Sequence, residues 1–242
     1  MEFLKTQNVK TDLAKIADSK KALSSQRFFK TYAGGYAAGD KFLGITVPAQ
    51  RVVAQKYLNL SLAEVGMLLK SNIHEHRLTA LEILVIQYEQ AGGRDQQRIA
   101  QFYLKNLAGV NNWDLVDASA PYILGHYFFA NRNLKRGAQA QLLKMAKSKN
   151  LWHRRIAMVA SHYFIRQKDF KLPLQIAAEL LHDQQDLIHK AVGWMLREIG
   201  KRSLATEEKF LRQHHKIMPR TMLRYAIERF PEVKRRYYLY GA

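Results

Sequence analysis

The sequence predicts an all-α fold, an α-solenoid of HEAT-like helix pairs curved around a concave basic face. Three observations lead to it. Helix-period apolar patterning runs from end to end, with no alternating strand pattern of useful length. Five apolar helices open on similar polar stretches: HEHRLTALEIL at 74, NNWDLVDASA at 111, LWHRRIAMVA at 151, LIHKAVGWML at 187 and MPRTMLRYAI at 218. They recur roughly every thirty to forty residues with another helix in each interval, the period of stacked helix pairs. Finally, 39 lysines and arginines face 20 acidic residues, a formal charge of +19. In a stacked array that excess concentrates where equivalent helix starts line up.

Taken in order, residues 6–18 and 20–29 read as two short basic helices, the second carrying Phe28 and Phe29. Thr31 to Ile45, TYAGGYAAGDKFLGI, holds four glycines among aromatic and small residues and reads as a long loop or a short hairpin. Its Gly35–Lys41 portion fails as a phosphate loop, because no Ser or Thr follows the lysine. Helices resume at Thr46, an N-cap candidate with Pro48 in the first turn, and Ser61 with Glu64 spells a capping box. Helical segments follow near 75–91, 94–107, 112–130, 136–147, 151–167, 172–182, 186–200, 204–215 and 219–239. Pro121 and Pro231 are expected to break or kink theirs. Residues 1–242 are read as one repeat domain with a glycine-rich insert near 31–45.

A hydrophobic share of 48% and an aromatic share of 11% belong to a folded chain. A pI near 10.1 calls for a polyanionic partner: nucleic acid first, an anionic membrane second, an acidic protein third. There is no apolar run of membrane-spanning length and no signal-peptide core at the N-terminus. The absence of cysteine removes disulfides, zinc–thiolate sites and thiol nucleophiles. These traits lead to the expectation of a cytoplasmic, nucleoid-associated monomer. The nine histidines show no metal spacing, no nucleophile elbow is present, and two-metal chemistry would need acids that the chain does not cluster. Neither metal nor cofactor is expected.

The repeat register makes neighbours of the residues that open the second helix of each pair: Arg77, Trp113, Asp114, Asp117, His153, Arg154, Arg155, His189, Lys190, Trp194, Arg220 and Arg224. Cations there neutralise phosphates, and aromatic faces pack on sugars or bases. Trp152 is assigned to the core; for Trp113 and Trp194 patterning leaves core and groove both open. Asp117 stands four residues after Trp113, on the same helical face. Taken alone it reads as a brace for a neighbouring helix. In a basic groove, a carboxylate can instead stabilise positive charge that develops on a sugar when an N-glycosidic bond breaks. Asp114 is assigned a structural role, as a cap or an arginine partner.

WDLVD (Trp113–Asp117), WHRR (Trp152–Arg155) and KAVGWMLRE (Lys190–Glu198) together resemble, in order, the signature stretches of the bacterial AlkD-type alkylpurine DNA glycosylases, the DNA alkylation repair family. The similarity covers most of the chain from about Phe42 to Arg224. It implies a HEAT-like solenoid that cradles duplex DNA and excises N3- and N7-alkylated purines without flipping the base. It further implies Asp117 as the catalytic carboxylate, Trp113 and Trp194 as the pair against the deoxyribose, and Arg155 in the DNA groove. Arg154, Lys190, His189, Arg77, Arg220, Arg224 and Lys41 are expected to contact backbone or groove. Two departures stand out: Asn112 occupies the place of a second aromatic before Trp113, and the glycine-rich insert is long. Relatives with an inserted hairpin bind branched DNA with little activity, so a non-catalytic binder of branched or damaged DNA, with Gly34–Lys41 as a wedge, is the competing reading. An RNA-binding or protein-scaffolding solenoid follows from charge and repeats alone.

Overall fold

A computed structural model describes residues 5–132 and 137–241. Among these the chain is helical, and its one β feature is an isolated bridge between Lys41 and Ile73. Helix contacts gather into two compact units, residues 1–119 and 120–242.

The first unit holds α1 (Thr6–Lys15), α2 (Ser19–Phe28), α3 (Val47–Gln55), α4 (Leu62–Leu69), α5 (His74–Gln90), α6 (Gly93–Lys105) and α7 (Trp113–Ser119). Asp18 caps α2 by accepting from the N–H groups of Lys20 and Lys21. Half of the Ser61–Glu64 capping box forms: Ser61 accepts the Glu64 N–H at 3.3 Å. The Glu64 carboxylate turns away to the Thr6 backbone N–H and hydroxyl and ties α1 to α4. At the centre lies α5, packed against α1, α3, α4, α6 and α7. Thirteen of its 17 residues are buried, including His74, Glu75, His76, Arg77 and Glu82. A helix enclosed on all sides carries no amphipathic stripe, so each buried polar group on it must find a partner.

Much of that demand is met by the glycine-rich loop. Residues 31–45 form successive turns, with Gly34, Gly39 and Gly44 at positive φ. At Gly44 a Cβ would stand 2.1 Å from the Asp18 carbonyl oxygen, so conformation and space both require glycine. The buried Glu75 carboxylate accepts the N–H groups of Leu43, Gly44 and Ile45 at 2.9, 2.8 and 3.3 Å. Lys41 donates its N–H to Asn72 and accepts that of His74. The segment is therefore a loop strapped to the start of α5, and no hairpin forms in it.

The second unit begins with a π-helical turn, Pro121–Gly125, in which the Gly125 N–H reaches back to the Ala120 carbonyl. Then follow α8 (His126–Ala130), α9 (Ala138–Ala146), α10 (Leu151–Ala160), α11 (His162–Arg166), α12 (Lys171–Glu179), α13 (Asp186–Gly200), α14 (Leu204–His214), α15 (Arg220–Ala226) and α16 (Glu232–Tyr240). The expected start of the 136–147 helix at 136 lies outside the described residues. The expected 112–130 helix is interrupted at Pro121, and Pro231 stands as the N-cap of α16. Helix α10 packs on α13 and α13 on α15, while α9, α12 and α14 lie against that row. This is solenoid-like packing of helix pairs.

Three helix starts share one local device. Ser71, Ser148 and Asp183 each use a side-chain oxygen to accept the N–H two residues on. Six residues further along, Arg77, Arg154 and His189 each donate back to the carbonyl of that first residue. In two of the three, the serine also meets a histidine Nδ1, Ser71 with His76 and Ser148 with His153. SNIHEHR and SKNLWHR are thus one repeat element written twice.

Candidate active site

In the first unit the candidate site is built around the start of α7. Asn112, fully buried, accepts the Trp113 N–H with Oδ1 at 2.8 Å and so does the work of a cap. The indole of Trp113 stacks on Phe29, with centroids 5.4 Å apart and planes 13° apart, and meets Phe28 edge-on. Its Nε1–H donates to the Tyr36 hydroxyl at 3.2 Å, and that hydroxyl donates to the Phe28 carbonyl. The stack continues from Phe29 to Phe42 and from Phe42 to the His74 imidazole at 4.6 Å. One indole face and the indole N–H are therefore held by α2 and the glycine-rich loop.

Asp114 is engaged with the fold. Its Oδ2 lies 2.7 Å from His74 Nε2, and its Oδ1 accepts the Leu115 N–H. His74, 2% exposed, has its other nitrogen 3.4 Å from Asp40, whose carboxylate also takes a 2.7 Å bond from Arg77. Burial opposes a charge on His74, but the bonds to Asp114 and Asp40 override it and hold its pKa above the ordinary value. Burial likewise opposes the Asp40 carboxylate, and His74 and Arg77 still bring its pKa below the ordinary value. The partner of Asp114 is thus a histidine, where the sequence suggested an arginine or a cap.

Asp117 stands one turn beyond Trp113 and is half-buried. Two residues on, the buried Ser119 hydroxyl pairs with that of Tyr103 at 2.8 Å. Burial above all drives the Tyr103 pKa upward, and the negative charge of Asp117 adds to that.

In the second unit Asn150 caps α10 through the N–H groups of Trp152 and His153. Arg154 is held on three sides: Nε bonds Asp183 at 2.6 Å, and Nη1 bonds the carbonyls of Ser148 and Lys149. Arg155, buried, donates Nη1 to the Leu187 carbonyl at 2.6 Å and supports the first turn of α13. On that helix Lys190 pairs with Asp186 at 2.8 Å, and the half-buried Trp194 lies 5.8 Å from the His162 ring. Arg220 donates to the Leu239 carbonyl and reaches over the Tyr240 ring. Arg224 and Lys41 are exposed.

This placement corrects part of the expected cation set. Arg77 is 3% exposed and bonded to Asp40 and Ser71, so no phosphate can reach it. Arg154 and His189 occupy the same position in their own repeats and are likewise turned onto their preceding loops. At these three helix starts the residue six places after the Ser or Asp is a brace. What sequence reasoning missed is the shell of Phe29, Tyr36, Asp40, Phe42 and His74 around Trp113. The recurring Ser–x4–His–Arg spacing was the one signal that could have separated brace arginines from the rest.

The sequence from residue 9 to 230 matches the family described as DNA alkylation repair enzyme. The chain belongs to that family. No curated protein sequence matches it. Among solved structures, a predicted DNA alkylation repair enzyme from Enterococcus faecalis is similar at a TM-score of 0.68 and 15% identity. That match covers 89% of this chain and 97% of that one. At such identity it speaks for the fold alone. Among the described residues no group of three or more His, Asp or Glu side chains is arranged to hold a metal ion, and no helix is long and apolar enough to cross a membrane.

Proposed function

We propose that this member of the DNA alkylation repair family is a monomeric DNA glycosylase of the nucleoid, hydrolysing the N-glycosidic bond of cationic N3- and N7-alkylpurines in duplex DNA without flipping the base. The observation that carries the reading is the placement on α7: the half-buried Asp117 follows the clamped indole of Trp113 by one turn. The +19 charge supplies DNA as the partner. The exposed Lys41, Arg220 and Arg224, with Lys190, are assigned to phosphates, and Trp113 and Trp194 to the deoxyribose. Arg155, set on the Leu187 carbonyl, holds the turn that carries Lys190.

An alkylated purine bears a positive charge and leaves as a neutral base, so the departing ring needs no proton from an acid. The N–C1′ electron pair goes to the base, and oxocarbenium character develops on the sugar. A carboxylate at about 4 Å stabilises that charge by roughly 4 kcal/mol at the effective dielectric of a protein surface, on the order of a thousandfold in rate. Water then forms the new bond to C1′, and its proton passes to Asp117 or to solvent. Duplex DNA carrying 7-methylguanine or 3-methyladenine should release free base with the wild-type chain. Asp117→Asn should suppress release strongly and leave duplex binding intact; equal release by both proteins overturns the assignment.

A further inference from the structure

The buried His74 takes no part in the chemistry just described, yet it is the joint between the two segments that hold Trp113. Its Nε2 meets Asp114 of α7 at 2.7 Å and its Nδ1 meets Asp40 of the glycine-rich loop at 3.4 Å. A neutral imidazole carries one N–H and can donate to only one carboxylate; donating to both requires the imidazolium. The other charged group facing the ring is Arg77 on α5, which neutralises the second carboxylate. Phe42 from the loop stacks on its ring, and Phe29 after α2 packs against it on the same side. Two carboxylates and two cations then balance in a largely buried site, where an uncompensated charge is costly.

We infer that His74 is a positioning residue, a buried imidazolium that pins the first turn of α7, and with it Trp113 and Asp117, to the glycine-rich loop. The catalytic consequence rests on the glycosylase reading; the positioning itself does not. Loss of the His74 proton breaks its bond to either Asp114 or Asp40 and leaves Arg77 as the one cation between two carboxylates. The His74 bridge between the loop and α7 is then lost, and the Tyr36–Trp113 bond is left to position the indole against the loop. Because the His74 pKa is raised, this loosening sets in as pH climbs through that elevated value, above the ordinary 6.5.

The full-length chain labelled with 15N at histidine and tryptophan tests this by NMR titration. His74→Gln identifies the signals, and base release under single turnover is followed in parallel on duplex DNA containing 7-methylguanine. The His74 ring should be doubly protonated at neutral pH, and the Trp113 indole N–H signal should move with the same midpoint. Asp40→Asn, which removes one carboxylate, should lower that midpoint. Misplacing Asp117 by an ångström-scale shift predicts a rate reduced roughly ten- to hundredfold in His74→Gln, with the alkaline limb abolished. A His74 ring that is neutral at pH 6.5, or a Trp113 signal indifferent to its titration, overturns the inference, as does a His74→Gln enzyme of wild-type rate and pH profile. If the wild type releases no base while the coupled titration is seen, the glycosylase reading fails and the positioning role stands. Should His74→Gln not fold, the midpoint shift in Asp40→Asn decides the matter.

Discussion

Replacing Gly193 by alanine puts one methyl group into the close crossing of α13 and α15. A Cβ at this position would stand 2.4 Å from the Met222 carbonyl oxygen and 2.5 Å from Tyr225 Cβ. Both belong to α15, and one is backbone, so neither can swing aside. To restore an ordinary contact of about 3.5 Å, α13 and α15 must separate by roughly 1 Å. Overpacking of that kind costs about 1–3 kcal/mol, and the better helix propensity of alanine returns about 1 kcal/mol. A clash this close to backbone sits in the upper half of that overpacking range, so the net is a loss of roughly 1–2 kcal/mol, or about 2–8 °C in melting temperature for a chain of this size. Gly66 in α4 is the internal control. There a Cβ would meet only the Phe102 ring edge at 3.4 Å, so Gly66→Ala should be neutral or stabilising by up to about 1 kcal/mol. Thermal melts followed by circular dichroism separate the two. A Gly193→Ala protein that melts at or above the wild-type temperature refutes the packing argument. Because Trp194 follows directly, the same substitution should weaken DNA binding.

Other outcomes follow from individual side chains. Burial, with Glu208 nearby, raises the Glu207 pKa to about 8, against a partial offset from Arg197. A carboxyl raised in the folded state is ionised more easily in the unfolded chain, so stability declines as pH rises from about 4.5 through about 8. The loss by pH 8 is on the order of 4 kcal/mol, and urea titrations of Glu207→Gln should lack it. Arg224→Ala should reduce the slope of log affinity against log salt by about one phosphate contact. Arg154→Ala should leave that slope unchanged while lowering stability, because its guanidinium is used up by Asp183 and two carbonyls.

Much of this architecture was legible in the residues. The polar openings of the repeated helices are found at α5, α7, α10, α13 and α15, because an exposed turn followed by an apolar run is a local pattern. The interruption at Pro121 and the helix start at Pro231 follow from a missing N–H and a fixed φ. What could not be read was which polar groups face inward. HEHR at the start of α5 looks like a solvated face, yet all four side chains are buried. Their partners Asp40, Ser71, Asp114 and the Leu43–Ile45 backbone lie from a few to about forty residues away in sequence, and no local periodicity carries that information. For the same reason Arg77 and Arg154 read as phosphate ligands, while the fold uses them to close the loops before their helices. Asp114 and Asp117 stand three residues apart, and the bond between Asp114 and His74 provides a physical reason for the structural role of Asp114.

The central claim concerns Asp117, and one measurement addresses it: single-turnover release of 7-methylguanine from methylated duplex DNA by wild type and Asp117→Asn, with duplex affinity measured alongside. Removing the negative charge while keeping the side-chain shape should slow release on the order of a hundred- to a thousandfold at unchanged affinity. Release at the wild-type rate by Asp117→Asn would contradict the account.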